Sequence, residues 1–276
     1  MFGSDKKGEK TEEKARLQKS EQSFGTQNAQ PPSYNTTAFQ STFASLSLHK
    51  SDTIRFLRFP QQDIEVLRRV VNTSWSDGIQ EERLYGGSHE IKLAGYPWAD
   101  GYSKSDIRAR ILMREVLACL YSMGWILHVS TDISKKELDK DTMVFRKQVT
   151  PQPSEWFSIS FHRADRLRLG GASGAMIALF KGMLQNLNKL QSEEWKDQSL
   201  NAYEFKLLGY PWAASGEETM ETRILVLRML ETLERDGWSL YASVDQSNSS
   251  QNSSSADTWY CVRDKSWTPG GAVFHR

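Results

Sequence analysis

The sequence predicts an α+β protein of two tandem pseudo-symmetric modules, each with a mainly antiparallel or mixed sheet and two helices on one face. The first observation behind this prediction is an internal duplication: Gly95-Tyr96-Pro97-Trp98 recurs as Gly209-Tyr210-Pro211-Trp212, and Gly124-Trp125 recurs as Gly237-Trp238. The second is that strand and helix patterns follow one another in the same order in each copy. An offset of about 113 residues corresponds to a domain rather than to the short unit of a solenoid.

The composition is that of an ordinary globular protein. The 276 residues include 38% hydrophobic and 25% charged residues, and the formal net charge is +1. A nearly neutral chain lacks the basic excess of a nucleic-acid domain, so we expect no nucleic-acid partner. No apolar run reaches the roughly 18 residues of a membrane span, and the N-terminus lacks the apolar stretch of a secretory signal. We therefore expect a cytoplasmic protein, with the nucleus as the alternative.

The chain is predicted to have three parts. Residues 1–43 form a tail of polar and charged residues that cannot bury enough apolar surface to offset its ordering entropy, so we expect it to be disordered. Module one spans residues 44–150, and module two spans residues 151–276. Because the link between them, Pro151-Gln152-Pro153, is short, the two modules should contact each other.

The elements of module one follow from hydrophobic periodicity. Leu46 and Leu48 alternate with polar neighbours, which predicts a half-buried strand. A broad apolar stripe from Ile107 to Leu120, followed by Gly124 at a C′ position, predicts the longest helix. In chain order the predictions are strands at 45–49 and 54–59, a helix at 63–71, a strand at 90–94, a helix at 105–123, and strands at 126–133 and 142–147.

Module two repeats this order. Its second helix is predicted to open with a capping box at Ser215-Gly216-Glu217-Glu218, with acidic residues at the positive end of the helix dipole. The predicted elements are strands at 156–161 and 167–169, a helix at 175–190, a strand at 203–208, a helix at 219–236, and strands at 240–244 and 259–262.

Polar residues recur at the strand positions that point away from the helices. In module one they are Ser47, His49, Glu90, Lys92, His128, Ser130 and Asp132, and in module two Ser160, His162, Glu204, Lys206, Tyr241, Ser243 and Asp245. Strand alternation alone accounts for such a set as a solvated sheet face, or as a face packed between the modules, and this is the simpler interpretation. The alternative is a ligand-binding face present in two related copies.

Catalytic and cofactor chemistry find little support in the motifs. Ser, His and Asp occur together on the predicted faces, but no Gly-x-Ser-x-Gly elbow accompanies the serines. The histidines and the two cysteines, Cys119 and Cys261, lack the spacing of a metal site. Gly170-Gly171-Ala172-Ser173-Gly174 lies between a strand and a helix but lacks the residues of a phosphate-binding loop, so we expect a connecting turn. We expect no catalytic residue, no metal and no cofactor.

The repeated aromatic residues allow two interpretations. The Gly-Tyr-Pro-Trp turns could present aromatic docking platforms. The interpretation we favour places Trp98, Trp125, Trp212 and Trp238 in the core, because large aromatic side chains dominate protein interiors.

A short motif lies within the tail. Pro31-Pro32-Ser33-Tyr34 fits the Pro-Pro-x-Tyr pattern that WW domains bind, in which the prolines pre-form a polyproline II segment and the tyrosine adds an anchor. The sequence therefore predicts a WW-domain partner that contacts Pro31, Pro32 and Tyr34, and ubiquitin ligases commonly carry such domains. A polar spacer that happens to contain these residues is the alternative.

The chain resembles a family of uncharacterised fungal cytosolic proteins. The resemblance rests on Tyr85 to Glu90, on Gly95-Tyr96-Pro97-Trp98, on Gly124-Trp125 with the segment from Ser130 to Lys136, and on Trp259 to Arg263. It covers nearly everything after residue 43 and implies no catalytic residues. Similar tails carry Pro-Pro-x-Tyr-like segments, and some members carry an automatic label that links them to a transcriptional Mediator subunit.

These observations favour a non-enzymatic interaction protein, an adaptor with a duplicated body and a WW-binding tail. The alternative is an enzyme or a small-molecule sensor that uses the polar sheet faces or the cleft between the modules. A third hypothesis, a transcription-linked binding protein, agrees less well with the neutral charge.

Overall fold

The computed structural model describes residues 41–98, 104–131, 139–246 and 257–273. Within these ranges the side chains of Lys104, Asp139 and Lys140 are not described. Most of the predicted tail, with the motif from Pro31 to Tyr34, lies outside the described residues, and so does Asp132.

Module one is a six-stranded antiparallel sheet with two helices. The strands lie in the order β3-β4-β2-β1-β6-β5. Its elements are β1 (Phe43–His49), β2 (Thr53–Leu57), α1 (Gln61–Ser74), β3 (Ile79–Tyr85), β4 (Ser88–Leu93), α2 (Lys104–Ser122), β5 (Trp125–Thr131) and β6 (Asp139–Lys147).

Module two has the same architecture. Read from the opposite edge, its strands lie in the order β9-β10-β8-β7-β12-β11, which matches module one position by position. Its elements are β7 (Ser154–His162), β8 (Arg166–Gly170), α3 (Gly174–Asn186), β9 (Leu190–Asp197), β10 (Ala202–Leu207), a 3₁₀ turn (Pro211–Ala213), α4 (Glu218–Arg235), β11 (Ser239–Val244) and β12 (Thr258–Asp264). The predicted α+β fold with duplicated modules is confirmed.

The structure contains two edge strands that the periodicity does not indicate. β3 and β9 each pair with a single neighbour, and most of their residues are exposed, so they carry little of the apolar alternation of half-buried strands. The helix predicted to reach residue 190 ends at Asn186, and Asn188, with a φ of 52°, turns the chain into β9. The predicted capping box is also wrong, because Glu217 occupies the N-cap position and makes no side-chain capping bond.

Each module builds its core between its helices and one face of its sheet. In module one Leu46 and Leu48 of β1 pack with residues of α1 and α2, and in module two Phe157 and Ile159 of β7 pack with residues of α3 and α4. The intervening residues of these strands therefore lie on the opposite face of each sheet. Among the described residues, no helix is long and apolar enough to cross a membrane.

The two modules are joined by contact between unlike surfaces. Helix α2 packs on its own sheet and also contacts β7 and β8 of module two. Ala242, Val244 and Tyr260 of module two belong to the same hydrophobic cluster as the core of module one. The helix side of one module therefore meets the sheet side of the other, and the equivalent edge strands β5 and β11 also contact each other.

Trp125 and Trp238 follow the glycines that end α2 and α4, and both indoles are buried. Gly124 and Gly237 each have a φ of +80°, so the chain reverses at these positions and the following indole packs back on the module. Trp125 also donates a hydrogen bond from Nε1 to Asp63 Oδ2 at 2.8 Å.

We predict that Trp125→Ala lowers the free energy of unfolding by about 3–5 kcal/mol, because it removes a large side chain from the core. Chemical denaturation of the full chain measures the loss. The matched control is Trp195→Ala on the exposed edge strand β9, for which a loss below about 1 kcal/mol is expected. Equal losses for the two variants would contradict the packing described above.

Candidate functional site at the polar sheet faces

The face of each sheet opposite to its own helices carries a repeated serine-histidine pair. Ser47 Oγ lies 2.8 Å from His49 Nε2 on β1, and Ser160 Oγ lies 2.8 Å from His162 Nε2 on β7. A spacing of two residues places both members of each pair on the same side of a strand. We call the face in module one the open face. The face in module two, which lies under α2, is called the covered face.

The open face contains a paired carboxylate. Arg55 Nε donates to Glu90 Oε2, and Arg83 Nε donates to Glu90 Oε1, both at 2.6 Å. Burial of Glu90 favours its neutral form, but the hydrogen bonds from Arg55 and Arg83 outweigh that effect and lower the pKa of this carboxyl. The Arg55 guanidinium also lies 4.1 Å from the centre of the Tyr85 ring, a cation–π contact.

The covered face contains the equivalent pair, with one addition from module one. Arg168 donates from Nη2 to Glu204 Oε2 at 2.7 Å, and both side chains are buried. Arg168 also donates from Nη1 to Asp106 Oδ2 of α2 at 3.1 Å. The guanidinium of Arg168 therefore bridges a carboxylate of its own sheet and a carboxylate of the other module.

Helix α2 supplies three polar residues to this junction, one turn apart. Asp106 accepts a hydrogen bond from Arg110, and Arg110 Nε donates to Thr258 Oγ1 at 3.0 Å. Arg114 Nη1 donates to the carbonyl oxygen of Gly170 at 3.2 Å. Spacings of four residues place these three side chains on one side of the helix, while its apolar residues fill the core of module one.

Ser160, His162 and Asp106 form a line that superficially resembles a catalytic triad, since His162 Nδ1 lies 3.8 Å from Asp106 Oδ2. Ser160, however, is only 2% exposed. Asp106 already accepts from Arg110 and Arg168. The cavity next to His162 measures about 60 Å³, which holds a few water molecules and no ordinary substrate. In this arrangement Asp106 joins the two modules through Arg110 and Arg168.

A larger cleft of about 360 Å³ lies beside the junction. Its lining includes Arg114, Ser154, Trp156 and Gly171, and it contains neither a histidine nor a cysteine. The hydroxyl of Ser154 accepts a hydrogen bond from Trp156 Nε1 at 2.8 Å. The carboxylate of the lining, Glu115, accepts hydrogen bonds from Arg114 Nε and Nη2 at 3.0 and 2.7 Å.

Two β-bulges interrupt the alternation that underlies the predicted faces. The register shifts between Leu127 and Val129 in β5 and between Leu240 and Ala242 in β11, so His128 and Tyr241 are the bulged residues. Beyond the bulge in β11, Ala242 and Val244 pack toward module one. The bulge therefore breaks the strict side-chain alternation that was expected to place Tyr241, Ser243 and Asp245 on one face of the sheet.

The remaining predicted residues lie around the rims of the two sheets. Ser130 Oγ donates to Asp141 Oδ2 at 3.1 Å, and Ser243 Oγ donates to Asp257 Oδ2 at 2.8 Å. The Asp245 backbone N–H donates to Asp141 Oδ2 at 3.1 Å. Lys92 Nζ lies 4.0 Å from Asp52 Oδ2, and Lys206 is half-buried on β10. Asp132 lies outside the described residues.

Tyr241 belongs to the junction between the modules. Its hydroxyl accepts a hydrogen bond from the Leu127 backbone N–H at 2.7 Å, and its ring meets those of Tyr121 and Trp156 edge to face. Burial raises the pKa of the Tyr241 phenol. This residue holds β5 and β11 together.

The tryptophans and tyrosines of the repeated turns have opposite environments. Trp98, Trp125 and Trp238 are buried and Trp212 is half-buried, in agreement with the core interpretation. Tyr96 and Tyr210 are each 68% exposed. The predicted connecting turn at Gly170–Gly174 carries Ser173, whose hydroxyl accepts from the Met176 N–H and caps α3. Within the described ranges, no group of three His, Cys, Asp or Glu side chains could hold a metal ion.

Sequence reasoning did not identify Asp106, Arg110, Arg114 or Thr258 as site residues. A signal was present in α2, where Asp106, Arg110 and Arg114 recur at intervals of four residues beside the apolar stripe. A helix with this pattern needs a polar surface opposite its core, and the neighbouring module provides it.

The comparisons with known proteins agree with the duplicated architecture. A family model of an uncharacterised domain matches residues 42–146 and again residues 155–262. The chain belongs to this domain family. It contains two copies of the domain, each of which covers one of the sheets described above. Searches among curated proteins and among solved structures found no match.

We predict that Asp106→Ala lowers the free energy of unfolding by about 3–5 kcal/mol, because it removes a carboxylate shared by two buried guanidinium groups, those of Arg110 and Arg168. Chemical denaturation measures the change. Thr219→Ala, at the matching position of α4, is the control and should change the stability by less than about 0.5 kcal/mol. A small loss for Asp106→Ala would show that the junction does not depend on this ion pair.

We predict that His162 makes stability depend on pH. Burial lowers the pKa of His162 well below 6.5, and the guanidinium groups of Arg110 and Arg168 lower it further. The unfolded chain therefore binds more protons than the folded chain below about pH 6.5, and stability should fall with decreasing pH by up to about 1.4 kcal/mol per pH unit. Denaturation curves from pH 8 to pH 5 should show a shallower fall for His162→Gln. Parallel curves for the two proteins would contradict this assignment.

Proposed function

We propose that this chain is a non-enzymatic interaction protein, an adaptor that docks a helix of a protein partner on the open face and binds a WW domain through its tail. The observation that carries the proposal is the use of the equivalent surface in module two, where the covered face already packs against α2. A sheet face with the same Ser-His and Arg-Glu pairs exists in module one.

The exposure of the open face supports this role. Leu57 is 39% exposed and Val129 is 43% exposed, and both lie on this face beside the polar pairs. Their counterparts in module two are Gly170 and Ala242, at the junction with module one. Apolar side chains surrounded by satisfied polar groups are typical of a surface that binds protein.

The tail supplies the second part of the proposal. Pro31-Pro32-Ser33-Tyr34 has the composition of a WW ligand, and a ubiquitin ligase with WW domains is the partner class that we propose. A cytoplasmic location is compatible with this role and with the resemblance to fungal cytosolic proteins. The Mediator-related label carried by some of them defines a third candidate, a transcription-linked binding protein, which the near-neutral charge makes the weaker one.

We predict that Tyr34→Ala abolishes capture of the chain by a WW-domain protein, because the tyrosine is one of few anchors in so short a ligand. The affinity of the intact tail should be micromolar at best, since one short motif buries little surface. Ser33→Ala, at the variable position of the motif, is the matched control and should retain binding. The three affinities are measured by titrating a labelled WW domain with the full chain, with Tyr34→Ala and with Ser33→Ala. Undiminished binding of Tyr34→Ala would refute the WW assignment.

A second candidate function, a serine hydrolase, is favoured by the line of Ser160, His162 and Asp106. A fluorophosphonate probe tests it, because such probes label only an activated and accessible serine. We expect no labelling of the folded chain at Ser160, since that side chain is buried. Labelling that disappears in Ser160→Ala would establish the enzyme instead of the adaptor.

A further inference from the structure

The contact between the modules joins two kinds of surface, one side of a helix and one face of a sheet. Helix α2 presents the helix side, and the covered face presents the sheet side. Because the modules are repeats, each surface has an equivalent elsewhere in the chain. The equivalent of the helix side lies on α4, and the equivalent of the sheet side is the open face.

The two sheet faces correspond residue by residue in a row across the strands. In module two the row runs Gly170, Ser158, Tyr260 and Ala242, each paired with the next. In module one Leu57 pairs with Ser45, Ser45 pairs with Val144, and Val129 also pairs with Val144. The row of the open face is thus more apolar than the row that packs against α2.

The helices also differ at the position that meets this row, which is Arg114 in α2 and Leu227 in α4. In the internal contact the Arg114 guanidinium lies directly over Gly171, where an added Cβ would come within 1.8 Å of Arg114 Nη1. The residue of α4 that matches Arg114 is Leu227, which is 57% exposed. Gly170, whose carbonyl oxygen accepts from Arg114, corresponds to the exposed Leu57 of the open face, and Gly171 corresponds to the exposed Arg58. Where Arg114 meets Gly170 inside the chain, the matching residues Leu227 and Leu57 are both apolar and exposed.

The arginine of the helix side is retained in both helices, with the same bond inside the helix. Arg110 Nη1 donates to the backbone oxygen of Asp106, and Arg223 Nη1 donates in the same way to the backbone oxygen of Thr219 at 2.9 Å. The partner of Arg110 across the junction is Thr258. Its counterpart on the open face is Thr142, because Val144 and Tyr260, two residues further on, pair with the matching serines of β1 and β7.

The exposed side of α4 is a continuous apolar stripe. Met220, Ile224 and Leu227 are 55%, 52% and 57% exposed and lie about one turn apart on one side of the helix. In α2 the residue that matches Met220 is Ile107, which is 5% exposed. Isolated exposed apolar residues are common on protein surfaces, whereas a stripe at helical spacing marks a docking surface.

We infer that α4 of one copy of this chain docks on the open face of a second copy, in the way that α2 docks on the covered face. This inference rests on the docking role proposed above for the open face, and it names the occupant as a second copy. Leu227 contacts Leu57 of the other copy. Arg223 contacts Thr142 of the other copy, as Arg110 contacts Thr258 within the chain. Since the two surfaces differ and lie on different modules, the contact is head-to-tail and leaves one open face and one α4 at the ends of each assembly.

Two substitutions that block one surface each provide the test. Leu57→Glu places a carboxylate on the open face and leaves α4 intact, whereas Leu227→Glu does the opposite. The full chain and each variant are compared by sedimentation velocity at concentrations up to about 0.5 mM, together with an equimolar mixture of the two variants. Val149→Glu, at a highly exposed position outside both surfaces, is the matched control. Circular dichroism confirms that each variant is folded, and Leu57→Lys and Met220→Glu replace any variant that is not.

The expected result is distinct for each sample. The full chain and the Val149→Glu variant form dimers and larger species as concentration rises, and each blocking variant loses this association by at least about tenfold in its dissociation constant. The mixture of the two variants forms dimers but no larger species, because one intact surface of each kind remains. Only a head-to-tail contact gives this complementation.

Two outcomes would overturn the inference. A full chain that stays monomeric over the whole range excludes the second copy. If Leu57→Glu nevertheless prevents capture of a different helical partner, the docking function of the open face stands and only the occupant is wrong. Association that Leu227→Glu abolishes and Leu57→Glu leaves unchanged would instead establish a symmetric contact between two α4 helices.

Discussion

Helix α2 is buried on two opposite sides, and this constraint governs most of the polar chemistry of the molecule. One side fills the core of module one, and the other meets the strands of module two. A helix in this position cannot leave a charge unpaired, because a buried ion without a partner costs several kcal/mol. The carboxylate of Asp106 therefore lies between two guanidinium groups, and Glu204 shares one of them.

The same constraint explains why a serine, a histidine and an aspartate meet at the junction. Ser160 and His162 belong to the repeated pattern of the sheet face, and Asp106 belongs to the helix that covers it. Ser47 and His49 make the same contact in module one. The pair is thus a property of the repeated strand, and the third group is a property of the junction.

The sequence was sufficient for the elements that repeat and carry an apolar side. Leu46 and Leu48, with their equivalents in β7, determine which residues point away from the helices, so Ser47, His49 and Glu90 could be assigned to one face. The edge strand β3 could not be predicted, because a strand that is largely exposed does not need alternating apolar residues. The bulges at His128 and Tyr241 were equally hidden, since an extra residue changes the side-chain parity without changing the composition.

Asp106 and Thr258 lie far apart in sequence and are brought to one junction by the packing of the two modules. A one-dimensional pattern reveals that α2 has a core side, but it does not reveal what lies opposite. The packing of α2 against β7 and β8 of module two shows what lies opposite the core side of the helix. It also explains why α2 carries three charged residues where α4 carries threonine, arginine and leucine.

The short link between β6 and β7 has a consequence for how firmly the two modules stay together. β6 ends at Lys147 and β7 begins at Ser154, so the chain passes directly from one module to the next. A tether of this length holds α2 near the covered face at an effective concentration in the millimolar range or above. The internal contact is therefore closed at any protein concentration. An equivalent contact between two separate chains has no tether and depends on affinity alone. Apolar residues such as Leu57 and Leu227 supply affinity that their internal counterparts do not need to supply.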